Sequence, residues 1–331
     1  MAPQVSFLGT GRSVPAQQRR SEFFDAELGL ETGTLFQATG VAQRYVSQSE
    51  SQIDLAIAAI ENAIDAAGIS AQDIDLVISA CGVGYQAIPS TAPLVMAHLG
   101  VQDGAAAAFD VNSTCLSFLT GVETAHHLIA TGQHKTAVVF SSELASRALP
   151  WATDAQTAAL FGDGAAAAIL GQKSSAGRGL VAHLMKTYPS AYDACTLAAG
   201  GTRFDVHKQP VEFAQNTTFH MDGKALFRFA SKYLKGFFDE LLERANWTTE
   251  DVDVVIPHQA SPLALQHMIK ATGVDPGKVI DITQDYGNQI AASIPFAFDL
   301  ARRDQRLGAG SKILFLGTSA GVSLGGIAWE L

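Results

Sequence analysis

The chain has 331 residues, of which 47% are hydrophobic and 16% charged, with a formal net charge of −10. Such length and apolar content suit a globular enzyme or obligate oligomer with a large buried interior, and exclude a disordered or fibrous chain. The acidic balance, with no Lys/Arg cluster, excludes general nucleic-acid binding, and no apolar run approaches the ~20 residues a membrane span needs.

From Val5 the chain enters a strand, without the basic and apolar regions of a signal peptide. An amphipathic helix is expected over Leu55–Ala66, then a turn and an apolar strand reaching Ile78. A helix over Thr91–Leu99 and Gly100-Val101 precede a short buried strand, Ala105–Val111, ending in Asp110-Val111. A helix from Leu116 to Thr131 places Phe118, Val122, His126 and Ile129 on one face and stops at Gly132. The strand Lys135–Ser142 follows.

The order then recurs. Ala245–Ile256 repeats the grammar of Ala67–Ile78 after a helix over Ala225–Arg244. A helix over Pro262–Thr272, Gly273-Val274, a strand ending Asp281-Ile282 and a strand Lys312–Thr318 complete the second copy. Two copies of one α/β unit are expected, with mainly parallel sheets covered on both faces and halves at 1–174 and 175–331.

In such sheets ligands collect beyond the carboxyl ends of strands. Cys115, His258 and Asn288 all fall there, and a pseudo-twofold packing of the halves brings them into one cluster. A thiol at a helix N-terminus faces unpaired N–H groups and the positive dipole end, which favour thiolate. Taken singly, Cys115 also reads as a buried structural thiol, His258 as a capped surface histidine and Asn288 as a turn residue. The three cysteines, Cys81, Cys115 and Cys195, form no CxxC or Cys/His metal spacing. Neither a metal nor a disulfide framework is expected, and the pattern fits a reducing cytoplasm. Leu8-Gly9-Thr10-Gly11-Arg12 lacks a full dinucleotide fingerprint.

Asp110-Val111-Asn112-Ser113-Thr114-Cys115, Pro257-His258-Gln259-Ala260 and Gly287–Pro295 resemble, in the same order, the active-site segments of the β-ketoacyl-acyl-carrier-protein synthase III family. Phe161–Ala166 and Gly317–Gly321 extend the resemblance across the whole chain. The family implies the thiolase fold, a duplicated five-layered αβαβα architecture, and a homodimer. It implies acyl transfer from an acyl-CoA or acyl-carrier-protein thioester to Cys115, then decarboxylative Claisen condensation with a malonyl thioester, with no cofactor. His258 and Asn288 then donate to the enolate oxygen, and the backbone N–H groups of Cys115 and Ala320 form the oxyanion hole for acyl transfer.

The resemblance also marks departures. The residues that hold the coenzyme A adenine in the family fall at Thr34, Ala38 and Ala155, and the carrier-docking arginine at Leu263. Each lost cation–π contact weakens a CoA donor by ~0.5–2 kcal/mol, so a specialised homologue with another carrier or a longer acyl donor is expected. An acidic chain needs a local basic patch to dock an acidic carrier, for which Arg147, Lys224, Arg228 and Lys270 are candidates beside plain surface charge. Ile88 falls where the family caps the acyl pocket across the dimer. Phe161, Met221 and Gly223 read either as lining that pocket or as ordinary packing. Two other readings stand beside condensation: transfer or hydrolysis of the Cys115 acyl group, and a non-catalytic partner subunit.

Overall fold

The structure is a computed structural model in which residues 4–172 and 178–331 are described; the expected boundary at 174/175 lies outside them. The first half builds a five-stranded sheet from β1 (Val5–Ser13), β2 (Leu76–Ser79), β3 (Ala107–Asp110), β4 (Thr136–Glu143) and β5 (Gly164–Gln172), in the order β1-β5-β4-β2-β3. The second builds a four-stranded sheet from β6 (Gly179–Thr187), β7 (Val254–Pro257), β8 (Lys312–Ser319) and β9 (Ser323–Glu330), in the order β7-β8-β9-β6. A parallel bridge from Val255 to Val279 adds a fifth position at the β7 edge. Read from that edge, the two sheets have one topology.

In each sheet the strands around β2 and β7 are parallel and the other two pairings antiparallel. The sheets are therefore mixed, because β5 and β9 run opposite to the strands on either side of them. β3 is an edge strand whose Ala107 and Asp110 are exposed, not the buried strand expected from its apolar run.

Two helices, α1 (Gln52–Ala67) and α2 (Thr91–His98), cover the outer face of the first sheet. Between the sheets lie α3 (Ser117–Ala130) and α4 (Ser293–Arg303), sharing one core with strands from both. The outer face of the second sheet is covered by α5 (Gly223–Ala245) and α6 (Pro262–Thr272). This gives five layers, αβαβα.

Local chemistry accounts for these elements. Ser51 and Asp54 form a reciprocal capping box at the start of α1, and Gly68, at φ +66°, ends it. Gly9 and Gly11, the glycines of the incomplete dinucleotide fingerprint, serve packing: a Cβ on either would lie 2.3 Å from a carbonyl oxygen of α1. Asp222 caps α5 by accepting the Ala225 N–H at 2.9 Å, and Asn246, at φ +55°, closes it. Among the described residues, no helix is long and apolar enough to cross a membrane.

Candidate active site

Cys115 lies in a 3-10 turn, Thr114–Leu116, one step before α3 begins at Ser117. Thr114 is held at φ +56°, with its N–H donated to Asn112 Oδ1 at 2.8 Å. Left-handed backbone at a non-glycine residue costs about 1–2 kcal/mol, here offset by side-chain hydrogen bonds that define the turn. The Ser113 N–H donates to Ser117 Oγ at 3.0 Å, and Ser117 Oγ donates to Thr114 O at 2.6 Å.

The second half repeats this turn residue for residue. Ile290–Ala292 is a 3-10 turn leading into α4 at Ser293. Ile290 has φ +50° and donates its N–H to Asn288 Oδ1 at 2.8 Å, while the Gln289 N–H donates to Ser293 Oγ at 3.1 Å. Asn288 thus corresponds to Asn112, and Ala291 to Cys115. The two turns touch at the junction between the halves.

His258 follows β7, where Ala80 follows β2; their N–H groups donate to Leu316 O and Phe140 O at 2.8 and 2.7 Å. Gly317 brings the imidazole beside the Cys115 turn, since a Cβ there would lie 2.9 Å from both His258 Cβ and Leu116 Cδ2. Asn288 Nδ2 donates to Ala260 O at 3.3 Å, two residues beyond His258, and leaves its second N–H for another acceptor. Gln259 ties this corner together, donating to Pro257 O and Ile280 O and accepting the Ile282 N–H. Gly164 admits Gln289, whose Nε2 would sit 2.2 Å from a Cβ there and donates to Asp163 O at 3.2 Å.

Electrostatics correct one expectation. Burial pushes the Cys115 thiol up to about 12, with Cys195 and Glu143 adding to it, despite N–H groups from Cys115 itself and Ala320 directed at the sulfur. The resting Cys115 side chain is a thiol, because desolvation of the anion outweighs the donors of the turn. Burial lowers His258 to about 4, so its imidazole is neutral at pH 7, and Nδ1 has no partner among the described residues.

The remaining expected residues are distributed unevenly. Phe161 is buried, bridges to Asn288 and packs edge-on against Phe219 at 5.3 Å. Met221 pairs with Cys195, the thiol that faces Cys115 electrostatically. Gly223 opens α5, is exposed, and has no neighbour on its Cβ side. Ile88 is 88% exposed and lines no part of its own chain's interior. Two residues escaped the sequence reading: Cys195, noted only in the cysteine count, and Glu143, whose signal was a single charge ending an apolar strand. No group of three or more His, Cys, Asp or Glu among the described residues is arranged to hold a metal.

Comparison with known proteins agrees with this geometry. Residues 109–189 match the family model for 3-oxoacyl-[acyl-carrier-protein] synthase III, and residues 242–331 match that of its C-terminal region. The β-ketoacyl-[acyl-carrier-protein] synthase III of Clostridioides difficile is 33% identical, with 100% of both chains covered. That of Neisseria meningitidis serogroup A is 32% identical over 96% of this chain and 97% of its own. The crystal structure of 3-oxoacyl-[acyl-carrier-protein] synthase III from Aquifex aeolicus superimposes with a TM-score of 0.87 at 28% identity, covering 99% of this chain and 100% of the other. The Pseudomonas aeruginosa enzyme gives 0.88 at 28% identity, over 99% and 98%. A duplicated thiolase fold, two interlocking turns and a full-length likeness lead to one conclusion: the chain belongs to the β-ketoacyl-acyl-carrier-protein synthase III family of condensing enzymes.

Proposed function

We propose that Cys115 accepts the acyl group, that His258 and Asn288 stabilise the enolate, and that the N–H groups of Cys115 and Ala320 form the oxyanion hole. The observation carrying this reading is the pair of N–H groups, from Cys115 and Ala320, that face the half-buried Cys115 sulfur. Thioester exchange moves the acyl carbonyl from its carrier sulfur to Cys115, and the thiol proton passes to the released carrier. Both sides are thioester plus thiol, so the step needs no energy source. Loss of CO2 from a malonyl thioester then leaves an enolate, whose carbon attacks the acyl-Cys115 carbonyl and expels the Cys115 thiolate, which takes one proton from water to return to the thiol. Two neutral donors suit the enolate oxygen: an N–H of neutral His258 and the free N–H of Asn288. Asn at 288 brings no negative charge toward the growing anion.

The acyl donor rides on a carrier protein or carries a longer chain, and is not ordinary acetyl-CoA. Around Ala155, Phe24 and Trp151 stack on each other at 4.4 Å, with Arg44 over Phe24, so these groups offer no free clamp for an adenine. A cavity of about 270 Å³ beside them is lined by Thr153, Asp154, Asn216 and His220, with no Lys or Arg. That lining suits the amides of a pantetheine arm better than a phosphorylated nucleotide. The active form is a homodimer: β3 is an open sheet edge, and Val83, Tyr85 and Ile88 project from the neighbouring segment, 47%, 46% and 88% exposed. Such an edge calls for a covering partner.

Intact-mass measurement after incubation with acyl thioesters tests the scheme. An acyl adduct is expected on the wild type and not on Cys115→Ala, with acyl-carrier-protein donors outpacing the same acyl-CoA. Adding malonyl thioester then yields a 3-oxoacyl product; free acid or ester alone would favour hydrolysis or transfer.

A further inference from the structure

Glu143 ends β4 and is 1% exposed. Its carboxyl accepts the Gly82 N–H at 2.5 Å, and the N–H groups of Val83 and Ala291 face it and favour its charged form. Ala291 is the counterpart of Cys115 in the repeated turn. On the Cys115 side, the equivalent N–H faces the sulfur, on which an acyl group would be carried. On the Ala291 side, that N–H already faces a carboxyl group of the protein.

We infer that Glu143 is an internal carboxyl group filling the pseudo-symmetric counterpart of the oxyanion hole, and that it thereby positions both turns for the reaction. Each turn is reached through one short chain of hydrogen bonds. Ala291 adjoins Ile290, whose N–H holds Asn288 Oδ1 at 2.8 Å. On the other side, Gly82 O accepts from Asn112 Nδ2 at 3.0 Å, and Asn112 Oδ1 accepts the Thr114 N–H at 2.8 Å. The groups close on one point: a Cβ on Gly82 would lie 2.7 Å from Ile290 Cγ2, 3.3 Å from Glu143 Oε1 and 3.7 Å from Thr114 C. The segment carrying Ile88 starts from the same carboxyl. Asp163, Cys81 and Cys115 are the titratable groups facing it, and burial raises Glu143 itself to about 8.

Glu143 is a positioning residue, and chemical rescue separates this role from general stability. The rate readout rests on the condensation reading above. In Glu143→Ala, 3-oxoacyl formation is expected to fall by about tenfold or more, since ångström-scale misplacement of reacting groups has effects of that size. Millimolar formate should then restore several-fold of the loss by entering the vacated site, while leaving the wild type unchanged. In Glu143→Gln the amide fills the space and keeps one acceptor oxygen, so a smaller loss is expected, without a response to formate. A Glu143→Ala enzyme at wild-type rate, a loss indifferent to formate, or equal formate effects on both variants would overturn the inference. Should the alanine variant not fold, amide hydrogen exchange at Gly82 and Ala291 in Glu143→Gln decides: faster exchange supports the role and unchanged exchange refutes it. A wild type making no 3-oxoacyl product would refute the condensation reading instead, leaving this inference to the Cys115 acylation rate and the exchange data.

Discussion

Residues 112–117 and 288–293 follow one backbone path and do different chemistry. Both hold a non-glycine residue at positive φ, both bind its N–H with an asparagine oxygen, and both close on a serine. The first presents a thiol, and the second presents Ala291 to a buried glutamate. The asparagine of the second turn is buried beside His258, whereas its counterpart Asn112 is exposed. Duplication thus supplied two turns of one geometry, and side chains from distant strands decided what each of them faces. The adjoining strands repeat the lesson. Ser141 fits against Ala80, donating to its carbonyl at 2.5 Å, while the matching Gly317 is bare because His258 replaces Ala80.

The largest test of this comparison moves the thiol. Cys115→Ala combined with Ala291→Cys should form no acyl adduct by intact mass, because Glu143 occupies the hole the transplanted thiol needs; any stoichiometric adduct on that transplanted thiol would break the distinction. Next comes the asparagine pair. Asn288→Asp is expected to slow condensation by about 10²–10³, the usual loss for one oxyanion donor, while acylation of Cys115 persists. Asn112→Asp keeps the oxygen that holds Thr114 and should cost less than about tenfold in acylation. Comparing the two half-reactions by stopped-flow mass analysis distinguishes them.

A smaller effect is expected at the strand pair. Gly317→Ala pushes on His258 and Leu116 and should lower stability by about 1–3 kcal/mol, as overpacking does, with a matching loss of condensation. Ser141→Ala removes one hydrogen bond, about 1 kcal/mol, and should leave product formation near wild type. Equal losses of activity in both variants would argue against the asymmetry. A last test reads pH dependence. Burial lowers His258 and His126 to about 4, against an unfolded value near 6.5. Between those values the unfolded chain binds more protons, so stability falls as pH drops from 6.5 toward 4. Urea midpoints across this range should slope less steeply in His258→Gln than in the wild type.

Much of the fold was legible in the chain. The helices expected at 55–66 and 225–244 lie within α1 and α5, and Pro262–Thr272 coincides with α6. Periodicity, capping residues and paired landmarks are local and survive without coordinates. The edge character of β3 was not legible, since its apolar residues read as interior until a sheet order was known. The reversed direction of β5 and β9 was hidden for the same reason.

At the site, local sequence placed the thiol, the imidazole and the carboxamide at strand ends but misjudged the protonation of the thiol. A helix N-terminus is visible in sequence. The burial that pushes Cys115 to about 12, with Cys195 and Glu143 facing it, depends on residues 80 and 28 positions away. By itself the sequence determined that this protein is duplicated, which turn bears the thiol, and which types of donor lie at the strand ends. Only the tertiary structure decided that the resting sulfur is protonated and that Glu143 fills the second turn. Short-range periodicity encodes secondary structure, whereas desolvation and charge act through neighbours the chain brings together only on folding.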